Sequence, residues 1–223
     1  MKKNLYLTLF IAILFAGCST GLKNTEAAKN LNKSYNIRDM YKMNYYFTGP
    51  LVYIGLDVEA NFYQKVFTEK MTKIYGHFVT PVHTTGYVSI PSKNIKETFY
   101  SIFYFNKDGN IIKHYNKKDN ITCFPLDKLK PIPVRVKIGY TNQITHKCSD
   151  GTKEKYNTKF KLFKNEAMLS TVLQKFNKNN KLVVASESGI IIDGKSEPKS
   201  VYMYAYAGDI KIKYENIKVI KIK

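Results

Sequence analysis

A chain of 223 residues that is 44% hydrophobic and 14% aromatic carries enough apolar side chain to fold, which excludes an intrinsically disordered protein. Its formal net charge of +19 rests on lysine, with Arg38 and Arg135 the only arginines. Sites that read phosphates or bases usually recruit the planar donor fork of arginine, so nucleic acid is not an expected partner. The lysine excess is read as a surface property with a general pull on anionic partners.

Lys2 and Lys3 precede an uncharged apolar run over residues 5–17. That run is short of the roughly 20 residues a membrane span needs, and it has the size of a secretory leader core. Phe15-Ala16-Gly17-Cys18 resembles the lipobox of bacterial lipoproteins, with Phe15 where Leu is usual. The resemblance implies a diacylglyceryl thioether on Cys18, cleavage that removes residues 1–17, and acylation of the new amino group. It thereby implies an extracytoplasmic protein attached to a membrane through Cys18. Ser19, rather than Asp, follows the cysteine, which points to the outer membrane. With Cys18 lipidated, Cys123 and Cys148 are the remaining cysteines, and in an oxidising compartment they are expected to pair. Closing such a loop is worth about 3 kcal/mol in the chain-entropy model.

Residues 18–39 are polar and without a sustained period, and read as a flexible tether, with a helix over residues 26–31 too short to stand alone. The body is expected over residues 40–223. Alternation predicts a strand over residues 51–60, with Val52, Ile54, Leu56, Val58 and Ala60 on one face. The period then switches. Phe62, Tyr63, Val66, Phe67, Met71, Ile74 and Tyr75 recur at helical spacing, with Asn61 as cap and Gly76 as stop, predicting an amphipathic helix. Strands follow at residues 87–90, 98–105 and 111–115, the last two joined by an Asn106-Lys107-Asp108-Gly109 turn. Pro125, Pro131 and Pro133 mark a connection between possible halves, 40–124 and 132–223. Alternation predicts another strand over 134–140 and one near 158–163. Met168, Leu169, Val172, Leu173 and Phe176, capped by Asn165, predict a second helix. The remainder reads as strands at 182–185, 190–192, 201–207, 210–214 and 217–222. The lysines of the last two suit an exposed sheet edge.

Motifs for chemistry are weak. Gly189 to Ser196 fits the P-loop spacing, but its β-branched interior calls for a strand, and Pro198 excludes the helix that must follow. Ser196-Glu197-Pro198-Lys199 fits S-x-x-K without the companion motifs of penicillin-binding enzymes. His77, His83, His114 and His146 show no metal-ligand spacing, although His146 and Cys148 are separated by one residue. Asp57 and Glu59 share a strand face and are the one lead toward carboxylate chemistry. Tyr202, Tyr204 and Tyr206 alternate along a strand, with Lys211 and Lys213 on the next. Together they form a candidate surface for a glycan, a peptide or another partner that aromatic rings and ammonium groups can hold.

The expected fold is α+β or mostly β: an antiparallel, sandwich-like sheet with two amphipathic helices. The expected function is a lipid-anchored, non-catalytic binding or envelope-assembly module for an anionic, glycan or peptide partner, with no cofactor and no metal. The alternatives are a cell-envelope hydrolase and a structural subunit of an envelope complex.

Overall fold

The computed structural model describes residues 26–38, 40–54, 59–207 and 210–221. The lipobox and Cys18 lie outside the described residues, as do Leu56, Asp57, Val58 and the Gly208-Asp209 turn. A helix, α1 (Glu26–Asn32), leads to a short strand, β1 (Tyr35–Asn36), and a 3-10 turn (Met40–Lys42). Next come β2 (Tyr45–Ile54), β3 (Glu59–Thr68), β4 (Thr72–Ile74), β5 (His77–Ile90) and β6 (Ile95–Asn106). The middle of the chain gives β7 (Ile111–Asn116), β8 (Ile121–Pro125), β9 (Arg135–Val136) and β10 (Thr141–Cys148). The rest forms β11 (Lys153–Phe163), β12 (Glu166–Phe176), β13 (Leu182–Ile192), β14 (Pro198–Ala207) and β15 (Ile210–Lys221).

Thirteen strands form one antiparallel sheet, and a further pairing of β3 with β5 joins its ends. All but β4 then make a ring of twelve, so the sheet is a barrel and not a sandwich. The two possible halves are stitched together twice, by β8 with β10 and by β15 with β2. The last strand, β15, is paired on both sides, so its lysines do not protect an edge.

Both expected helices are strands, for the same reason. An apolar pair four residues apart shares a face at period 3.6 and also at period 2. Phe62 and Val66 are such a pair. In β3 they point inward with Ala60 and Gln64, while Tyr63, Lys65 and Phe67 take the outer face. Tyr75-Gly76, both at positive φ, form the two-residue loop between β4 and β5, so Gly76 ends no helix. In β12, Ala167, Leu169, Thr171 and Leu173 face inward. Asn165 is no helix cap. With Lys164 it makes the positive-φ turn of the β11–β12 hairpin. The strand expected over 134–140 shrinks to the two residues of β9, because a turn at Gly139 (φ 100°) breaks it before β10 begins.

Among the described residues, alternation along the ring puts most aliphatic side chains and many aromatic ones inside, and lysines interspersed with tyrosines outside. That is the reverse of a barrel whose outer band faces lipid. Tyr45, Phe47, Phe62, Val66, Val82 and Val201 form one buried cluster. A second caps one end of the barrel. There Tyr35 and Ile37, counted with the tether by composition, and Met40, where the body was expected to begin, pack on Val136, Phe160, Ala167 and Ile192. Tyr35 meets Phe160 edge to face at 5.0 Å, β1 pairs with β9, and the Asn36 amide donates to Ser196 Oγ. The segment over residues 33–42 is therefore a strap across the barrel end. The short helix α1 is held by that strap and by the sheet: Tyr35 donates to Asn30 Oδ1, and Asn30 donates to the Asn165 carbonyl.

Candidate functional site

Eight strands suffice to fill a barrel with side chains or leave room for one small ligand, and a larger ring leaves more. Here the surplus is two adjoining chambers of about 260 and 300 Å³. They share seven wall residues: Tyr41, Tyr45, Phe105, Ile111, Tyr156, Thr171 and Ile190. Tyr41, from the strap, stacks on Phe105 with ring centroids 4.3 Å apart, a gate-like contact in the wall common to both chambers. The first chamber extends under the strap to Ile37, Met40 and Ile132, and along β10 to Asn142, Ile144 and His146. Its surface is mostly hydrocarbon with a few polar groups, the usual make-up of a small-molecule site.

Those polar groups lie on three neighbouring strands. Register sets His146 of β10 opposite Glu154 of β11, and Ile144 opposite Tyr156. Glu154 is buried, and its Oε2 accepts from the Tyr156 hydroxyl at 2.7 Å and lies 3.1 Å from His114 Nδ1. Burial alone would raise the Glu154 carboxyl. The hydrogen bonds from His114 and Tyr156 and the nearby His114 and Lys175 outweigh it and hold the group below its usual value. Burial and the Glu154 carboxylate together push the Tyr156 phenol well up. Phe103 stacks on His114 at 4.4 Å. His146 has no exposed surface, and neither of its ring nitrogens has a hydrogen-bond partner in the protein. The Ile111 backbone comes near enough to favour the protonated ring a little without reaching hydrogen-bond geometry.

Just beyond this cluster Cys123 and Cys148, opposite each other on β8 and β10 with Cα atoms 3.9 Å apart, form a disulfide. His114, Glu154 and Cys123 bring ligand atoms within 4.8 Å of one another. The Cys123 sulfur is bonded to Cys148 and offers no thiolate, leaving one imidazole and one carboxylate, two ligands short of a closed tetrahedral site. No protein-family model, curated protein or solved structure matches this chain. The reading of this site therefore rests on its geometry.

The residues singled out from sequence sit elsewhere. Tyr202 and Tyr204 fall on the outer face of β14, and register pairs Tyr204 with Lys213 and Tyr206 with Lys211 on β15. Tyr202 is half-buried against Phe163, ring centroids 5.1 Å apart. The side chains of Tyr206, Lys211, Lys213 and Glu59 are not among those described. A denser aromatic surface lies on the neighbouring wall. Tyr63 is 6.0 Å from Tyr46 and 5.5 Å from Tyr87, and Lys96 sits 4.3 Å over the Tyr87 ring. Lys117 and Lys113 cover Tyr100 and Tyr104 in the same way. This face is invisible when residues 62–75 are read as a helix. In the P-loop-like stretch, Gly189 to Ile192 is strand, and Gly189 serves packing: an added Cβ would strike the Met168 sulfur. The inward histidine did leave a signal. A buried disulfide fixes the face of Cys148, and His146, two residues earlier, must share it.

Proposed function

We propose that this is an extracytoplasmic lipoprotein, anchored through Cys18 to a membrane surface, most simply the outer membrane, that binds a small apolar molecule inside its barrel and does no chemistry on it. The observation that carries the reading is the pair of adjoining hydrocarbon-lined chambers inside a wall whose outer face is lysine-rich. Acyl anchoring holds the barrel where apolar molecules reside and raises its effective concentration toward them. Binding is favoured over hydrolysis because the buried carboxylate on this wall, Glu154, already accepts from Tyr156. Photolabelling the full chain in nanodiscs with an alkane bearing a mid-chain diazirine tests the proposal. Label should concentrate on peptides from β10 to β13, and Thr171→Trp, which fills the wall shared by the chambers, should remove it. Label spread evenly over the outer face would overturn it. The anchor is tested separately: native protein should lack residues 1–17 and carry acyl mass on Cys18, and Cys18→Ala should leave the membrane fraction.

A second reading, favoured by the stacked tyrosines, is that the outer face of β2, β3, β5 and β6 holds a glycan or other anionic envelope partner, continuing toward Tyr204 and Lys213. Sugars stack on such rings, and lysines supply the charge. Tyr63→Ala with Tyr87→Ala should abolish retention on immobilised envelope glycan and leave interior photolabelling intact. Unchanged retention would remove this second role.

A further inference from the structure

We propose that the molecule held in the barrel carries an uncharged hydroxyl-type head, as in a long-chain alcohol or an acylglycerol, seated against the imidazole of His146 with its chain running along Ile144 and Leu169. The inference rests on the binding reading above and specifies the ligand class for the same chamber. His146 lines that chamber, is wholly buried, and has both ring nitrogens unpaired within the protein. A polar group so placed is costly unless something entering the chamber bonds to it.

The neighbours decide what that something is. The Tyr156 hydroxyl is already given to Glu154, as is His114 Nδ1, so neither donor is free for a ligand anion. The Glu154 carboxylate lies directly across the strand pair from His146, and Asp127 adds a second negative charge to the field at the ring. Burial pushes the His146 ring down to about 4, leaving it neutral near pH 7, with one donor and one acceptor nitrogen. A hydroxyl offers one donor and acceptor lone pairs and matches that pair of needs. A carboxylate offers acceptors only and would place a third negative charge in the group. Among the described residues, the one cation on the chamber wall, Arg38, is bound to Asp108 at 2.9 Å and to the Lys107 carbonyl at 2.8 Å, under the strap.

The test compares a ten-carbon alcohol with the ten-carbon acid, each carrying a mid-chain diazirine. Both are photolabelled onto the full chain in nanodiscs at pH 7.4 and normalised to labelling of the disc lipid. The alcohol should label β10–β12 peptides roughly tenfold more than the acid, the ratio one well-placed hydrogen-bonded group gives. His146→Phe should bring the alcohol down to the level of the acid, and His146→Gln, which keeps a donor and an acceptor, should retain most of the preference. Equal or stronger labelling by the acid, or an alcohol preference that survives His146→Phe, would overturn the head-group assignment while leaving the chamber a binding site. Acid labelling that falls with Arg38→Ala would overturn it too, by moving the head to the strap end. Labelling of these peptides by neither compound, nor by the alkane, would remove the binding reading itself.

Discussion

The two walls of the barrel are built from the same alternation and do different things with it. On the wall of β2, β3, β5 and β6, the inward positions include Phe47, Phe62, Val66, Val82, Phe99 and Phe103; Phe62 and Phe99 pack against each other, while Phe47, Val66, Val82 and Phe103, with Gln64 and Thr84, also face the second chamber. Phe62 and Phe99 stack at 6.1 Å, and Gly86 lacks a side chain because the Tyr63 carbonyl, and next to it the Phe99 ring, lie where one would go. On the wall of β10, β11 and β12, the inward positions include Asn142, His146, Tyr156, Thr158 and Thr171, and the first chamber remains open against them, with Glu154 buried behind Tyr156 and His146. A wall that is mostly hydrocarbon can pack much of its face shut, as Phe62 and Phe99 do. A wall that mixes small polar groups with aliphatics leaves space, and its polar atoms need partners. The outer faces differ as well. The first wall carries stacked tyrosines, and the second carries ion pairs such as Lys161 with Glu187, which also accepts from Ser170.

The sharpest way to break this contrast is to truncate one residue on each wall. Phe62→Ala should cost about 4 kcal/mol, the usual range for a buried aromatic in a closed core. Ile144→Ala, beside an existing chamber, should cost about 2 kcal/mol, because much of its cavity penalty is already present. Urea unfolding of the two variants measures the gap, and equal losses would mean that the chamber wall is packed as tightly as the other. Next in size is the disulfide. β8 contributes only three residue pairs to each neighbour, making this the thinnest seam of the ring, and Cys123–Cys148 staples it. Replacing both cysteines by Ala should lower stability by about 3 kcal/mol. Hydrogen exchange should rise first in β8 and β10.

Acid should weaken the polar wall and spare the apolar one. Between pH 6.5 and about 4 the unfolded chain binds a proton at His146 that the folded chain refuses, so stability falls as pH drops through that window, by up to about 3 kcal/mol. Glu154, held below its ordinary value, adds a loss at still lower pH, as its stabilised carboxylate is protonated. The charged groups acting on His146 (Glu154, His114 and Asp127) persist in His146→Phe. That variant should therefore flatten the profile above about pH 4.5 and leave the lower limb in place. A melting curve whose pH dependence is unchanged by the substitution would show that His146 reaches solvent in the folded chain.

Much of the ring was legible as alternation. The strand at 98–105, the Asn106–Gly109 turn and the 201–207 tyrosine row fall where the pattern puts them. The helices failed at Phe62/Val66 and Leu169/Leu173, where a spacing of four satisfies both periods and only the neighbouring strand decides between them. The 134–140 run alternated perfectly and still made no long strand, since the turn at Gly139 breaks it. The chamber was illegible for another reason. Asn142, Thr158 and Thr171 are ordinary polar residues in sequence, and only closure of twelve strands sets them around one space. His146 alone carried a hint, through its parity with Cys148.

The smallest effect concerns the strap that covers the chamber on the polar wall. Arg38 ties it to the β6–β7 turn through Asp108, and Gly109 (φ 79°) lets that turn pass against the Arg38 side chain. The pair is partly exposed, so Arg38→Ala should cost under about 1 kcal/mol in global stability. Its consequence for the chamber should be larger than for the fold, because the strap is held by local contacts: Tyr35, Ile37 and Met40 in the end cluster, a two-residue strand pair, the Asn36–Ser196 and Arg135–Ser34 hydrogen bonds and the Tyr41–Phe105 stack. Amide exchange at residues 35–38 should quicken several-fold, with a matching rise in the release rate of a bound alkyl probe, while exchange in β3 and β5 stays as it was. If release is unchanged when the strap exchanges faster, ligand passes through the other end of the barrel, and the stacked Tyr41–Phe105 pair becomes the contact that controls it.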